Sequence, residues 1–245
     1  MAVIGDRRFS SILDWIYPRA CLGCKVSIKN GTADLPLCAD CKGEIRFLSG
    51  PCCTVCATPF SSSAALSHSP KHRCGECREN PPFFSQAITP YAYEGGLAKT
   101  IRRFKYQKGN QLAMSLASLL VDALGSRSFD LVTPIPLHPT RLREREFNQS
   151  LLLADRVAQQ RTIPLLIEGL ERLRETGPQV GLSRKEREKN VRRAFRVSYR
   201  EAIQGKRILL VDDVYTTGAT LREGAKTLAE GGAKEIVVAA VARMI

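Results

Sequence analysis

The apolar positions change rhythm along the chain. Ile208 to Val211 form an unbroken apolar run, the pattern of a short strand buried on both faces of a parallel sheet. Past Thr220 the rhythm becomes helical, with Leu221, Ala225, Leu228 and Ala229 recurring on one side, and Gly231-Gly232 supplies a stop. The same alternation occurs upstream. Tyr91 to Tyr93 reads as a strand that turns at Glu94-Gly95-Gly96. Residues 97–107 and 111–124 read as helices, the second with Leu112, Leu116, Leu119 and Leu120 along one face. Asp130 to Ile135 reads as a strand and PIPLHPTR as a proline-stiffened loop. A helix is expected from about Glu146 to Gln160, then strands near Ile163–Ile167 and Phe195. Alternation of this kind over 87–245 predicts an α/β domain, a parallel sheet with helices on both faces.

The first 86 residues have a different character. All nine cysteines lie between 21 and 77, and eight of them form C-x-x-C pairs: Cys21/Cys24, Cys38/Cys41, Cys53/Cys56 and Cys74/Cys77. Two-residue spacing lets a tight turn aim both thiolates at one ion, and two such turns complete a tetrahedral zinc site. Eight ligands therefore predict two structural zinc sites. Sequential pairing puts Cys21, Cys24, Cys38 and Cys41 on one ion and Cys53, Cys56, Cys74 and Cys77 on the other; crossed pairing has the same spacing and stays open. Cys52 is either a spare thiol or an alternative to Cys53. His68 and His72 read as loop residues, and 61–70 as a flexible loop. A disulfide framework or a thiol redox centre is the competing reading, though nothing in the sequence suggests an oxidising compartment. With few aliphatic residues this region builds little core, so metal would supply much of its folding free energy. The expected division is 1–86 for a double zinc ribbon and 87–245 for the α/β domain.

Composition narrows the setting. Of the 245 residues 44% are hydrophobic, as in an ordinary globular protein, and no stretch approaches the ~20 apolar residues of a membrane span. The opening MAVIGDRRFSSILDWIYP lacks the continuous apolar segment and small-residue cleavage site of a signal peptide, so a cytoplasmic protein without membrane insertion is expected. The net charge of +13 is concentrated in three clusters: Lys99, Arg102, Arg103, Lys105 and Lys108; Arg141, Arg143 and Arg145; and seven basic residues from Arg184 to Arg196. Such a balance suits polyanions, nucleic acid or pyrophosphate-bearing metabolites; any single cluster is equally what a solvated basic surface looks like, and the three together weaken that alternative.

The densest chemistry lies in ILLVDDVYTTGATL, from Ile208 to Leu221. Backbone N–H groups at a helix N-terminus attract phosphate. Thr216, Thr217 and Thr220 add hydroxyl donors, and Gly218 allows close approach or a positive φ. Asp212 and Asp213 would repel that phosphate, so they should address a neutral or cationic group attached to it, a ribose diol or a magnesium ion. The plainer alternative is a buried strand with an Asp-rich turn before a capped helix.

This stretch closely resembles the phosphoribosyl pyrophosphate (PRPP) motif of type I phosphoribosyltransferases. The resemblance implies that Asp212 and Asp213 hold the ribose hydroxyls, while Thr216, Thr217, Gly218, Ala219 and Thr220 cradle the 5′-phosphate. PIPLHPTRLREREFNQS (134–150), TGPQVGLSRKEREKNVRRAFR (176–196), FKY (104–106) and the cysteine region extend the likeness. With them the whole chain resembles the ComF family of phosphoribosyltransferase-like competence proteins. Glu146 departs from the pattern: the family usually has glycine there, which argues against a positive-φ turn.

By that resemblance Pro136, Leu137 and His138, in the loop 136–140, contact pyrophosphate, with Arg141 and Arg145 close behind; the alternative for LRERE is an exposed helix start of alternating charge. The 176–196 stretch looks like a mobile catalytic loop, with Gln179, Arg187 and Asn190 as site candidates, and Ser183/Glu186 form a capping-box pattern. The family implies PRPP bound with magnesium, and a cytoplasmic role with single-stranded DNA in natural transformation, beside a competence helicase or membrane DNA channel proteins. Arg102, Arg103 and Lys105 are the DNA-binding candidates. Phe104, Tyr106 and Phe147 are either stacking faces or core. A phosphoribosyltransferase of nucleotide salvage with no DNA role is the alternative; no catalytic residue or acceptor pocket is evident.

Overall fold

The computed structural model describes residues 20–28, 37–62, 72–105, 110–176 and 183–245. Its centre is a parallel sheet of β1 (Gln86–Ile88), β2 (Tyr91–Ala92), β3 (Leu131–Pro134), β6 (Arg207–Tyr215) and β7 (Glu235–Arg243). The order is β1-β7-β6-β3, with β2 also paired to β7, beyond β1 along the same edge. All these pairings are parallel, as the alternation of apolar runs and helical faces predicts.

Two faces bury two cores. On one, Leu209 and Val211 of β6 and Val237, Ala239 and Val241 of β7 meet α3 (Gly95–Phe104), α4 (Asn110–Leu124) and α6 (Gln149–Arg161). On the other, Ile208, Leu210, Ile236, Val238 and Ala240 meet α9 (Ala219–Glu230), through Leu221, Ala225 and Leu228. Residues i and i+2 of a strand face the same way, so each strand feeds both cores. Each buried Leu, Ile or Val contributes roughly 1.5–3 kcal/mol. The short helices α1 (Ala39–Gly43) and α2 (Gly75–Glu79) belong to the cysteine region, and they lie on opposite sides. Cys21, Leu37 and Cys41 join the first core; Cys53, Val55, Cys56 and Cys77 join the second.

Several local expectations change. Ile163–Ile167 makes only an isolated parallel bridge, Val132 to Leu165, because Pro164 offers no N–H to a ladder. The strand at Phe195 is not part of the parallel sheet: β5 (Phe195–Val197) pairs antiparallel with β4 (Leu170–Arg172) in a separate two-stranded ribbon. α7 (Arg184–Val191) and the short α8 (Arg200–Ile203) flank β5. PIPLHPTR is a loop only as far as His138. Pro139 opens α5 (Pro139–Arg145), with the His138 ring accepting from the Thr140 N–H at 3.4 Å. Glu146 then takes the left-handed conformation at φ +64°, so the turn forms without glycine, and α6 starts three residues later than expected behind an Asn148 cap. β7 is absent from the expected pattern although it is central; its Ala-Ala-Val-Ala stretch carries weak β propensity and is a strand because both faces are buried.

Candidate functional site

The eight paired cysteines form two quartets, Cys21/Cys24/Cys38/Cys41 and Cys53/Cys56/Cys74/Cys77, each with all sulfurs within 4.8 Å of one another. The pairing is the sequential one. Cys24 and Cys38 sulfurs lie 3.6 Å apart, as do those of Cys56 and Cys74. A zinc tetrahedron with bonds of about 2.3 Å has edges of about 3.8 Å, so the donor sets fit the ion. Backbone donors complete the knuckles. The Cys21 sulfur accepts from the N–H groups of Gly23 and Cys38 at 3.3 and 3.2 Å, and the Cys53 sulfur from Cys74 at 3.3 Å. Burial opposes ionisation of both thiols, but these donors outweigh it and lower Cys21 to about 6 and Cys53 to about 7. Thiolate is the form that binds metal. Cys52 stands outside both groups and pairs by its backbone with Pro59. His72 belongs to neither quartet; its ring packs edge-on to Phe60.

Above the carboxyl ends of β3 and β6 lies a cleft of about 760 Å³. Asp212 and Asp213, still within β6, form its floor. Asp212 Oδ1 accepts from the Ser150 hydroxyl and from the Asp213 N–H, both at 2.8 Å. Asp213 Oδ2 meets the Lys105 ammonium at 2.9 Å. Burial, and then the neighbouring Asp213 charge, push Asp212 up to about 6 against the pull of its hydrogen bonds and of Lys105. Burial alone would lower Lys105, but Asp213 outweighs it and the group stays cationic.

The turn after β6 leads directly into a helix N-terminus at the cleft. Gly218 sits at φ +78° immediately before α9, and a Cβ there would lie 2.2 Å from the Tyr215 hydroxyl oxygen. Conformation and space both demand glycine. The Thr217 hydroxyl accepts from the Ala219 N–H at 3.4 Å; Thr216, Gly218 and Thr220 line the cleft. α9 offers its first N–H groups toward this turn.

Cations close the walls. Six of them, Arg102, Lys105, Arg141, Arg145, Arg172 and Arg187, face two carboxylates. The structure thus brings Leu137, His138, Arg141, Arg145, Arg187, Asp212, Asp213, Thr216, Gly218 and Thr220 to one cleft, together with Arg102 and Lys105. Pro136, Thr217, Ala219 and Asn190 are not among its lining, and Gln179 and Tyr106 fall outside the described residues. Within the first basic cluster Arg103 and Lys105 point to different partners. Arg103 donates to the carbonyls of Cys21 and Leu22 at 3.2 and 2.6 Å, and Lys105 faces Asp213 inside the cleft. Phe104 is fully buried and offers no stacking face, 6.4 Å centroid to centroid from Phe147. The α7 capping box between Ser183 and Glu186 is present.

Sequence reasoning missed Ser150, Gln149 and Arg172. Gln149 Nε2 donates to the Lys105 carbonyl at 3.2 Å and Oε1 accepts from Arg145 at 3.3 Å, linking α6 to both walls. Arg172 lies over the Phe195 ring, 5.4 Å from its centroid, and donates to the Pro136 carbonyl and the Thr176 hydroxyl. Burial lowers its pKa. No local signal separates this arginine from its neighbours in ERLRE; only the antiparallel β4–β5 ribbon turns it inward.

Comparison with known proteins matches both the cysteine region and the α/β domain. A double zinc ribbon domain model matches residues 12–78 and a phosphoribosyl transferase domain model residues 148–244. Competence protein F of Haemophilus influenzae is 32% identical over 234 residues, covering 91% of this chain and 96% of that protein. The chain belongs to the ComF family. DNA utilization protein YhgH of Escherichia coli, 30% identical over 235 residues, covers 93% of this chain and 98% of its own length. Among solved structures, a glutamine PRPP amidotransferase of Bacillus subtilis aligns at 25% identity with a TM-score of 0.39, over 56% of this ComF chain and 30% of the amidotransferase. No helix among the described residues is long and apolar enough to cross a membrane.

Proposed function

We propose that the cleft binds PRPP, or a phosphoribosyl compound of the same form, and that this binding serves the handling of incoming single-stranded DNA in the cytoplasm, next to a competence helicase or DNA channel. One observation supports the ligand: a carboxylate pair near a strand end, followed after two threonines by a left-handed glycine that opens a helix. In this reading Asp212 and Asp213 accept from the ribose hydroxyls, the 216–220 turn holds the 5′-phosphate, and Arg141, Arg145 and Arg172 meet the pyrophosphate. Guanidinium forks match phosphate oxygens well. Magnesium bound with PRPP supplies further charge neutralisation. Support for the DNA role comes from the names of the relatives, competence protein F and DNA utilization protein, and from the exposed Arg143, Lys185 and Lys189, whose charges face solvent.

Calorimetric titration with magnesium and PRPP tests the ligand. Saturable binding is expected in the wild type and its loss in Asp212→Ala/Asp213→Ala; equal affinity in both refutes the assignment. For DNA, anisotropy of a labelled oligonucleotide should show log affinity falling with log salt by roughly 0.7 per phosphate contacted. Neutralising Arg143, Lys185 and Lys189 should flatten that slope. Absence of binding at low salt would leave a phosphoribosyl-binding protein without a DNA role.

A further inference from the structure

The second cysteine quartet lies against the turn that opens α9, and two arginines connect them from either end. Before the turn, Tyr215 closes β6. Its ring fills the space a side chain at Gly218 would need, so the ring is the surface on which the left-handed glycine rests. That ring is covered on another side by Arg243, the last residue of β7, whose guanidinium carbon lies 4.8 Å from the centroid. Arg243 is itself 5% exposed, donates to the Cys56 carbonyl at 2.6 Å and to the Thr58 hydroxyl at 3.1 Å, and pairs in register with Tyr215. After the turn, Arg222 stands in the first turn of α9, its N–H bonded to the Gly218 carbonyl at 2.8 Å. Its guanidinium donates to the Asn80 carbonyl at 2.9 Å, reaches the Cys77 sulfur at 3.7 Å and approaches Glu76 at 3.9 Å.

We infer that Arg243 and Arg222 are positioning residues that lock the phosphate-binding turn to the second zinc knuckle pair, so that metal at Cys53/Cys56/Cys74/Cys77 and ligand at 216–220 stabilise each other. The phosphate part rests on the function proposed above; the mechanical link does not. Cys56 and Cys77 belong to different knuckles of that quartet, one held by each arginine, and metal adds four bonds to the hydrogen bonds, among them Cys74 N–H to the Cys53 sulfur and Thr54 N–H to the His72 carbonyl, that otherwise join the knuckles. A rigid quartet then presents fixed acceptors to both guanidinium groups, and they fix Tyr215 on one side and the first turn of α9 on the other. The glycine between them has little conformational preference of its own and takes its order from these flanks. Because linkage is reciprocal, ligand on the turn holds the metal as firmly as metal holds the turn. Among the described residues the first quartet has no such route to the turn; Arg103 ties it to α3 instead.

Hydrogen exchange read by mass spectrometry on the full zinc-loaded chain tests the link without any ligand. Arg243→Lys keeps the charge but loses the fork, and Arg222→Gln keeps one donor. With two zinc ions per chain still counted, amides of 215–221 are expected to exchange about tenfold faster in either variant, while those of α6 do not change. Exchange at 215–221 equal to wild type overturns the inference. A chelator chase gives the second measurement: zinc release from wild type should slow about tenfold with magnesium and PRPP present, and this slowing should vanish in both variants. Calorimetry on the same samples separates the two ideas. If PRPP does not bind, the proposed ligand fails and exchange alone decides the link. If PRPP binds while neither exchange nor zinc release responds, the link fails and the ligand stands.

Discussion

The two cysteine quartets share the same spacing in each knuckle and the same four donors, yet they join the two different cores on opposite faces of one sheet. The first rests on α3. Gly96 leaves room there for Cys41, where a Cβ would lie 2.7 Å from the Cys41 carbonyl oxygen, and Arg103 grips the carbonyls of Cys21 and Leu22. Two residues further along the same chain direction, Lys105 reaches Asp213. The second quartet instead shares a core with Tyr215 and Leu221 and is bonded to Arg222 and Arg243. The same four-cysteine arrangement thus packs once beside the helix that leads to Lys105 and once beside the turn that opens α9. The motif defines the knuckle; its neighbours define what the knuckle does.

The largest contrast should come from removing one ligand of each. Cys41→Ser and Cys77→Ser should each reduce elemental analysis from two zinc ions to one and lower the melting temperature, since structural zinc contributes on the order of 10 kcal/mol to the folding of such modules. PRPP affinity by calorimetry should fall on the order of 100-fold for Cys77→Ser and about tenfold for Cys41→Ser. Equal losses would erase the distinction drawn between the quartets.

Paired glycine substitutions come next. Gly218→Ala adds a Cβ at a positive φ and against the Tyr215 ring, and should cost about 3 kcal/mol in denaturant unfolding and abolish PRPP binding. Gly96→Ala drives the first ribbon off α3 and should cost about 1–3 kcal/mol while PRPP still binds, more weakly.

A smaller effect belongs to pH. With Asp212 held at about 6, its carboxyl carries a proton below that value, and the ribose hydroxyls proposed to bind there bond more strongly to the ionised form. Binding should therefore release a proton near pH 6 and weaken about tenfold from pH 7 to pH 5. The second phosphate ionisation of the ligand also falls near 6, so Asp212→Asn serves as reference: whatever pH dependence remains in that variant belongs to the ligand. Identical pH profiles in wild type and variant would remove Asp212 from the titration.

The smallest effect sharpens the part Arg103 plays. Arg46 and Glu94 form a 2.6 Å ion pair between the segment joining the two ribbons and the start of α3, with side chains 54% and 50% exposed. Arg46→Ala should change stability by about 0.5 kcal/mol or less. Arg103→Ala, which removes the donor to the Leu22 carbonyl and leaves the Cys21 carbonyl with the Lys25 N–H alone, should cost about 1–3 kcal/mol. Equal costs would mean that the carbonyl contacts of Arg103 do not hold the first ribbon.

What could be read along the chain was whatever a local rule decides. Cysteine spacing is set by the geometry of a single tight turn, so four knuckles and two metal sites were legible at once. The β6 run, the acidic pair, the glycine turn and α9 are contiguous, and the site they build needs no distant partner to be recognised. The α/β class follows from alternating periods for the same reason. The tertiary structure decided everything that depends on which surfaces meet. Sequential knuckle pairing, the inward turn of Arg172, the Ser150 bond to Asp212 and the assignment of Arg103 to a zinc knuckle join residues distant in sequence, where no periodicity reports contact. β7 is alanine-rich and becomes a central strand only because cores exist on both its faces. Glu146 adopts a left-handed turn that its residue type disfavours because α5 and α6 are fixed on either side of it. In each case burial and long-range hydrogen bonds outweigh local propensities of about 1 kcal/mol or less, which is why these choices are made by the folded chain and not by its segments.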